Sequence, residues 1–213
     1  MIATIIGGTG LTGSFLVRQL LADPAISKVI SISRKPLEIS NPKLAEVLIS
    51  DLAELPSIES KIRGDLYFCC LGTTIKAAGS KENFEKVDHA AIVAFAQIAR
   101  AHDAKSFTLV SAMGANAKSM IFYNRVKGRT EHDVRALGLR SLTIFRPALL
   151  AGPRREFRLA ERIMAKTLVP LSSILSARIQ KSLVTKSETL ATRMLVEGKA
   201  APTGPHIILA KDI

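Results

Sequence analysis

Tyr123 and Lys127 stand four residues apart, and Ser111 precedes the tyrosine by twelve positions. Residues i and i+4 of a helix share a face, so this spacing brings a phenol and an ammonium together. A free phenol has a pKa of about 10 and shuttles protons poorly at neutral pH. A nearby ammonium favours its phenolate form. The chemistry these types suit is proton transfer at an oxygen atom. Tyr123 would give a proton to a carbonyl or take one from an alcohol, and Ser111 would polarise or position that oxygen. Y-x-x-x-K also occurs on ordinary surface helices, so the reading depends on what accompanies it.

What accompanies it is a turn at the start of the chain. The apolar run Ile2 to Ile6 meets Gly7-Gly8-Thr9-Gly10-Leu11-Thr12-Gly13 and passes into the periodic Phe15, Leu16, Leu20 and Leu21. That is strand, tight turn, helix. Gly7 permits the turn, Gly10 lets backbone approach a diphosphate, and Gly13 lets the helix pack on the strand. The amides at the helix start then face phosphate charge. The spacing is G-x-x-G-x-x-G, a variant of the dinucleotide fingerprint. With a nicotinamide nucleotide in place, Lys127 can also hydrogen-bond its ribose, and Tyr123 supplies the proton that accompanies hydride.

Cofactor choice is read where the second strand ends, at Ser33-Arg34-Lys35. An acid there holds the ribose 2′-hydroxyl of NAD, whereas an arginine accommodates the 2′-phosphate of NADP. The first acid after the strand is Glu38, so Arg34 and Lys35 favour NADP(H) over NAD(H). Asp51-Leu52 follows the third strand and is placed to meet adenine. Leu71-Gly72-Thr73-Thr74 ends the fourth, where the glycine lets backbone approach the middle of the cofactor and a hydroxyl serves phosphate or ribose. Leu149 and Leu150 are suited to pack on the nicotinamide. Arg146 suits a structural ion pair, and Arg158 a substrate or cofactor phosphate.

The elements that must position these residues alternate. Apolar, β-branched runs predict strands at 3–6, 28–33, 45–49, 66–71, 106–111, 141–146 and 205–209. Helical patterns fall at 13–22, 82–102 and 123–136, with part of 52–62 helical too. Nearly continuous apolar strands imply a parallel sheet covered on both faces, an α/β doubly wound Rossmann fold. Residues 1–213 form a single domain in this reading. Residues from about 151 to 213, with helical patterns at 159–166 and 186–197, form a small helical and strand appendage that caps the substrate side.

Composition bounds the rest. With 213 residues and 47% hydrophobic content, the chain can bury a substantial core. No apolar run reaches a membrane span, and the N-terminus reads as a core strand, not a secretion signal. Cys69 and Cys70 are adjacent in an apolar run, so they point to opposite faces and read as small core residues. The expected compartment is the cytoplasm. The four histidines have no metal-ligand spacing, so no metal site is expected. Asp88 and His89, on the long central helix, are read as packing or solvated residues. The net charge of +12 would attract polyanions. With only 5% aromatic residues and no basic cluster interleaved with stacking side chains, nucleic acid is not the expected partner. The densest cations are Arg154, Arg155, Arg158, Arg162 and Lys166. A small-molecule substrate is expected; a protein partner, and a monomer or homodimer, are left open.

Taken together, these residues resemble the short-chain dehydrogenase/reductases in their atypical branch, and within it the Tat-interacting oxidoreductase family. The matching stretches are Gly7 to Gly13, Ser33-Arg34-Lys35, Phe68-Cys69-Cys70-Leu71-Gly72-Thr73-Thr74, Tyr123-Asn124-Arg125-Val126-Lys127-Gly128 and Phe145-Arg146-Pro147. The resemblance implies NADPH held by Thr9, Gly10, Leu11 and Thr12, by Arg34 and Lys35, and by the Leu71-Gly72-Thr73 turn. It further implies contacts from Tyr123, Lys127, Leu150 and Arg158. A departure lies at Ser111-Ala112-Met113-Gly114, where the family can show paired serines followed by lysine; Ser111 keeps a hydroxyl.

Three functions compete. The first is an NADPH-dependent oxidoreductase acting on a small carbonyl or alcohol. A sugar-nucleotide epimerase or dehydratase is a variant of it, less expected because such enzymes carry a larger substrate domain. The second is a non-catalytic NADPH-binding redox sensor. The third, a polyanion binder, predicts steep salt dependence.

Overall fold

A computed structural model describes residues 1–151 and 184–213. The first half runs β1 (Ile2–Ile6), α1 (Leu11–Ala22), β2 (Lys28–Ser33), β3 (Leu44–Leu48), a 3-10 helix (Leu52–Lys61) and β4 (Leu66–Cys69). Short helices α2 (Ile75–Ala78) and α3 (Lys81–Glu85) follow. A π-helical stretch (Lys86–Ala91) then leads into α4 (Ile92–Ala101). The second half runs β5 (Ser106–Val110), α5 (Phe122–Ala136), β6 (Ser141–Arg146), β7 (Leu149–Ala151), β8 (Val184–Lys186), α6 (Ser187–Ala200) and β9 (Gly204–Leu209).

Seven strands form one parallel sheet in the order β3-β2-β1-β4-β5-β6-β9. The order reverses between β1 and β4, which opens a crevice at their carboxyl ends. Alternation along each strand feeds two cores. Tyr67, Cys69, Phe107 and Ile144 pack under Ile92, Phe95 and Ala99 of α4. Phe68, Ile5 and Phe145 face Leu16, Val17 and Leu20 of α1 and Leu190 and Met194 of α6. Ser106 Oγ donates to the Gly198 carbonyl at 2.6 Å and fixes α6 to the sheet. Thus α6 and β9 are integral to the sandwich. β7 and β8 make a separate parallel pair.

Strand boundaries fall within two residues of expectation. The helix expected over 82–102 does not run unbroken, because its middle widens into the π turn. Tertiary partners hold that turn open. Thr130 Oγ1 donates to the Asp88 carbonyl at 2.7 Å, and the Asp88 side chain is drawn inward to a cation on α5.

Of the two tyrosines, Tyr67 is structural. Its hydroxyl meets the Ile62 carbonyl at 2.9 Å and His102 Nδ1 at 2.6 Å. Burial pushes its phenol up to about 12. Folding therefore keeps the proton on Tyr67 above the pH where an unfolded phenol, with a pKa of about 10, loses it. Stability from this group is whole below about pH 10 and declines as pH climbs toward the folded value. Alkaline titration of phenol absorbance should show a late component that Tyr67→Phe removes. A wild-type curve without it would refute the assignment.

Candidate active site

At the reversal point lies a cavity of about 430 Å³. Its wall includes Gly7, Thr9 and Gly10 from the first turn, Ser33 and Arg34 from the end of β2, and Asp51 and Leu52. Leu71, Gly72 and Thr73 after β4, and Lys86 before Asp88, complete this part of the lining. Nine of the residues expected at a nucleotide are thereby brought to one cavity. Leu11, Thr12, Gly13 and Lys35 adjoin these residues in sequence and are not part of the lining.

The first turn is built as its glycines require. Gly7 has φ +82°, and a Cβ there would lie 2.7 Å from the Cys70 carbonyl carbon. A Cβ on Gly13 would fall on the Gly7 carbonyl oxygen, deep inside contact distance. Helix α1 begins at Gly10 with no side-chain cap and no acid in its first turn. Its opening amides are thus free for an external acceptor. The Thr12 hydroxyl is buried with no partner among the described residues. An orphaned hydroxyl beside uncapped amides fits the phosphates of a nucleotide.

Arg34 and Lys35 are exposed at the end of β2, and among the described residues neither has a carboxylate within ion-pair distance. Asp51 is differently employed. Its carboxylate accepts from the Ala53 amide at 2.8 Å, and Glu54 completes the capping box of the 3-10 helix. Asp51 thus reaches the cavity wall as a helix cap.

Tyr123 lies in the first turn of α5, with its ring 5.5 Å from that of Phe84. Lys127, one turn on, is only 3% exposed. Its Nζ lies 2.7 Å from Oδ1 of Asp88, which is wholly buried. Burial alone would depress the ammonium, but Asp88, with Tyr123 in support, outweighs it and holds the Lys127 pKa above its ordinary value. Asp88 Oδ2 also accepts from the Thr73 amide at 2.9 Å. The reading of Asp88 as a packing or solvated residue is corrected here. An aspartate at an inward position of an apolar helix was the available signal.

Ser111 is placed differently from expectation. Its Oγ donates to Glu131 Oε1 at 2.6 Å, and Arg146 grips the same carboxylate through Nε at 3.0 Å and a terminal nitrogen at 2.6 Å. Ser111 is nearly buried, and its hydroxyl is committed to a satisfied network joining β5, α5 and β6. Its proton is directed at Glu131, a buried carboxylate acceptor. Glu131 went unnoticed in the sequence; Arg146 makes the ion pair its position suggested. Leu150 lies in β7 and packs against the core that holds Phe145 and Leu190. Arg158 and the basic run 154–166 lie outside the described residues. Among the described residues no cluster of His, Cys, Asp or Glu has metal-holding geometry, and no helix is long and apolar enough to cross a membrane.

Fold and pocket together define a Rossmann-type α/β protein with a nucleotide-sized cavity at the reversal of its sheet. Residues 7–172 match the family model described as NAD(P)H-binding, and the chain belongs to that family. It is 36% identical over 165 residues to protein fmp52, mitochondrial, of Emericella nidulans, covering 75% of this chain and 71% of that one. It is 35% identical over 168 residues to FMP52, mitochondrial, of Candida albicans, covering 77% and 73%. These relatives bear the Fmp52 name and not the Tat-interacting one. Their names are mitochondrial, which overturns the cytoplasmic expectation; the cysteine pattern on which it rested does not separate one reducing compartment from another.

Among solved structures, the chain superposes on the Bordetella bronchiseptica enzyme WbmH in complex with NAD+. The TM-score is 0.70 at 18% identity, over 96% of this chain and 75% of that one. A short-chain dehydrogenase/reductase family oxidoreductase from Burkholderia thailandensis gives 0.69 at 19%, over 98% and 90%. At such identities the likeness establishes the fold.

Proposed function

We propose that the chain is an NADPH-dependent oxidoreductase interconverting a small carbonyl compound and its alcohol. The observation that carries this reading is the buried Lys127, which lies one turn from Tyr123 and against the Gly72 turn of the nucleotide cavity. A bound reduced nicotinamide supplies the hydride. Tyr123 gives its hydroxyl proton to the carbonyl oxygen, so the product gains one hydride and one proton. The phenolate that remains is stabilised by the Lys127 ammonium until solvent restores the proton. The cap expected over residues 151–213 falls largely on residues 152–183, which lie outside the described residues.

Preference for NADPH is supported by cavity charge. Arg34 and Lys86 line it, while the Asp51 carboxylate is taken up by its helix cap. The test is thermal stabilisation by NADPH and NADH in parallel, since a ligand of the native state raises the melting temperature. NADPH should stabilise more. Arg34→Glu should weaken NADPH by about 100-fold while NADH changes little, because a carboxylate repels the 2′-phosphate. Equal stabilisation by both nucleotides in the wild type refutes the assignment.

The commitment of Ser111 to Glu131 favours a second reading, a non-catalytic NADPH sensor, since the site then lacks its expected oxygen-polarising hydroxyl. The two part at Tyr123. A sensor keeps its effect in Tyr123→Phe, and an enzyme loses turnover.

A further inference from the structure

Asp88 is a buried charge that the proton transfer at Tyr123 does not itself use. One carboxylate joins two elements: the turn after β4 that lines the nucleotide cavity, through the Thr73 amide at 2.9 Å, and the helix that carries Tyr123, through Lys127 Nζ at 2.7 Å. Gly72 lies directly over the pair. A Cβ on it would stand 3.7 Å from Asp88 Oδ1 and 3.8 Å from Lys127 Nζ, in ordinary contact with both. The backbone of Asp88 is pinned as well, by Thr130 Oγ1 on its carbonyl. The residue sits within the π-helical stretch Lys86–Ala91, and such wide turns recur where a side chain must be aimed. Fold stability alone does not call for this arrangement, since buried ion pairs are often replaced by neutral packing at no loss.

Resting on the NADPH reading above, we infer that Asp88 is a positioning residue for the nicotinamide end of the nucleotide. It pairs with the Lys127 ammonium at 2.7 Å and holds that ammonium under the Leu71–Thr73 turn. The ammonium is thereby presented to ribose hydroxyls in the cleft. Asp88 acts only through Lys127, so the two residues form one functional unit.

The test compares two probes on wild type, D88N, K127Q and D88N/K127Q. NADPH spans the whole cleft; adenosine 2′,5′-bisphosphate fills only the Arg34 end. Wild type should bind both. D88N and K127Q should each weaken NADPH by about tenfold, the scale of a lost charge-assisted hydrogen bond. Each should leave the bisphosphate within about twofold, which general damage to the fold would not do. D88N/K127Q should be no weaker than either single change, because residues acting as a unit are not additive. Equal loss of both probes in D88N, an unchanged NADPH affinity, or losses that multiply toward 100-fold in the double variant would each overturn the inference. If D88N alone does not fold, D88N/K127Q leaves no unpaired buried charge and carries the test. It must then bind the bisphosphate normally and NADPH about tenfold less, and any other result overturns the proposal. A wild type that binds neither probe instead sinks the NADPH reading itself.

Discussion

Tyr123→Phe should abolish carbonyl reduction while leaving NADPH bound as tightly as before, within about twofold. The substitution deletes one oxygen at the start of α5 and preserves the ring that packs 5.5 Å from Phe84. Among the described residues that oxygen has no hydrogen-bond partner, and the residue is half-buried. Positioned acid catalysis contributes about 10²- to 10⁴-fold, so the rate should fall by that factor. The measurement is oxidation of NADPH followed by its own absorbance across a panel of small carbonyl compounds, beside NADPH affinity by titration. A variant that turns over as fast as the wild type would end the catalytic reading. Loss of binding in step with turnover would place the phenol in nucleotide recognition instead.

Gly13→Ala should damage fold and nucleotide binding together. The added methyl meets the Gly7 carbonyl oxygen, part of the backbone of the opening turn, where no flexible side chain can give way. Relief requires α1 to lift from β1, which opens the core around Leu16, Val17 and Leu20. A forced backbone clash of this kind belongs with the large mutational effects, about 4 kcal/mol or more. For a chain of this size that is a fall in melting temperature of roughly 10 °C. The variant should also lose NADPH stabilisation, because the amides of the first turn no longer share one orientation. An unaltered melting curve would contradict the packing described for the first turn.

The two substitutions differ in how visible their reasons were beforehand. Gly13 belongs to a local pattern, strand then glycine turn then helix, whose parts lie within a dozen residues. Local geometry dictates it, so sequence reveals it. Arg34 and Lys35 were legible for the same reason: they end a strand whose neighbours were already placed. Tyr123 and Lys127 were legible as a helical pair. Asp88 was not, because its partners Lys127 and Thr73 come from a different helix and a turn. Read along its own helix, it is merely one polar residue among apolar ones. The partner of Ser111 was hidden for the complementary reason. The serine hydroxyl was assigned by position on β5, and the competing acceptor, Glu131, lies twenty residues further on in α5.

The sequence by itself determined the alternating β and α elements, the parallel sheet, the glycine turn and the cationic end of β2, because periodicity and turn chemistry act over a few neighbouring residues. Only the tertiary structure decided where the buried charges go: Lys127 to Asp88, and Glu131 to Arg146 and Ser111. A buried charge must find a partner wherever the fold brings one within about 3 Å. Which partner that is follows from how strands and helices stack, and that is not written in the order of the residues.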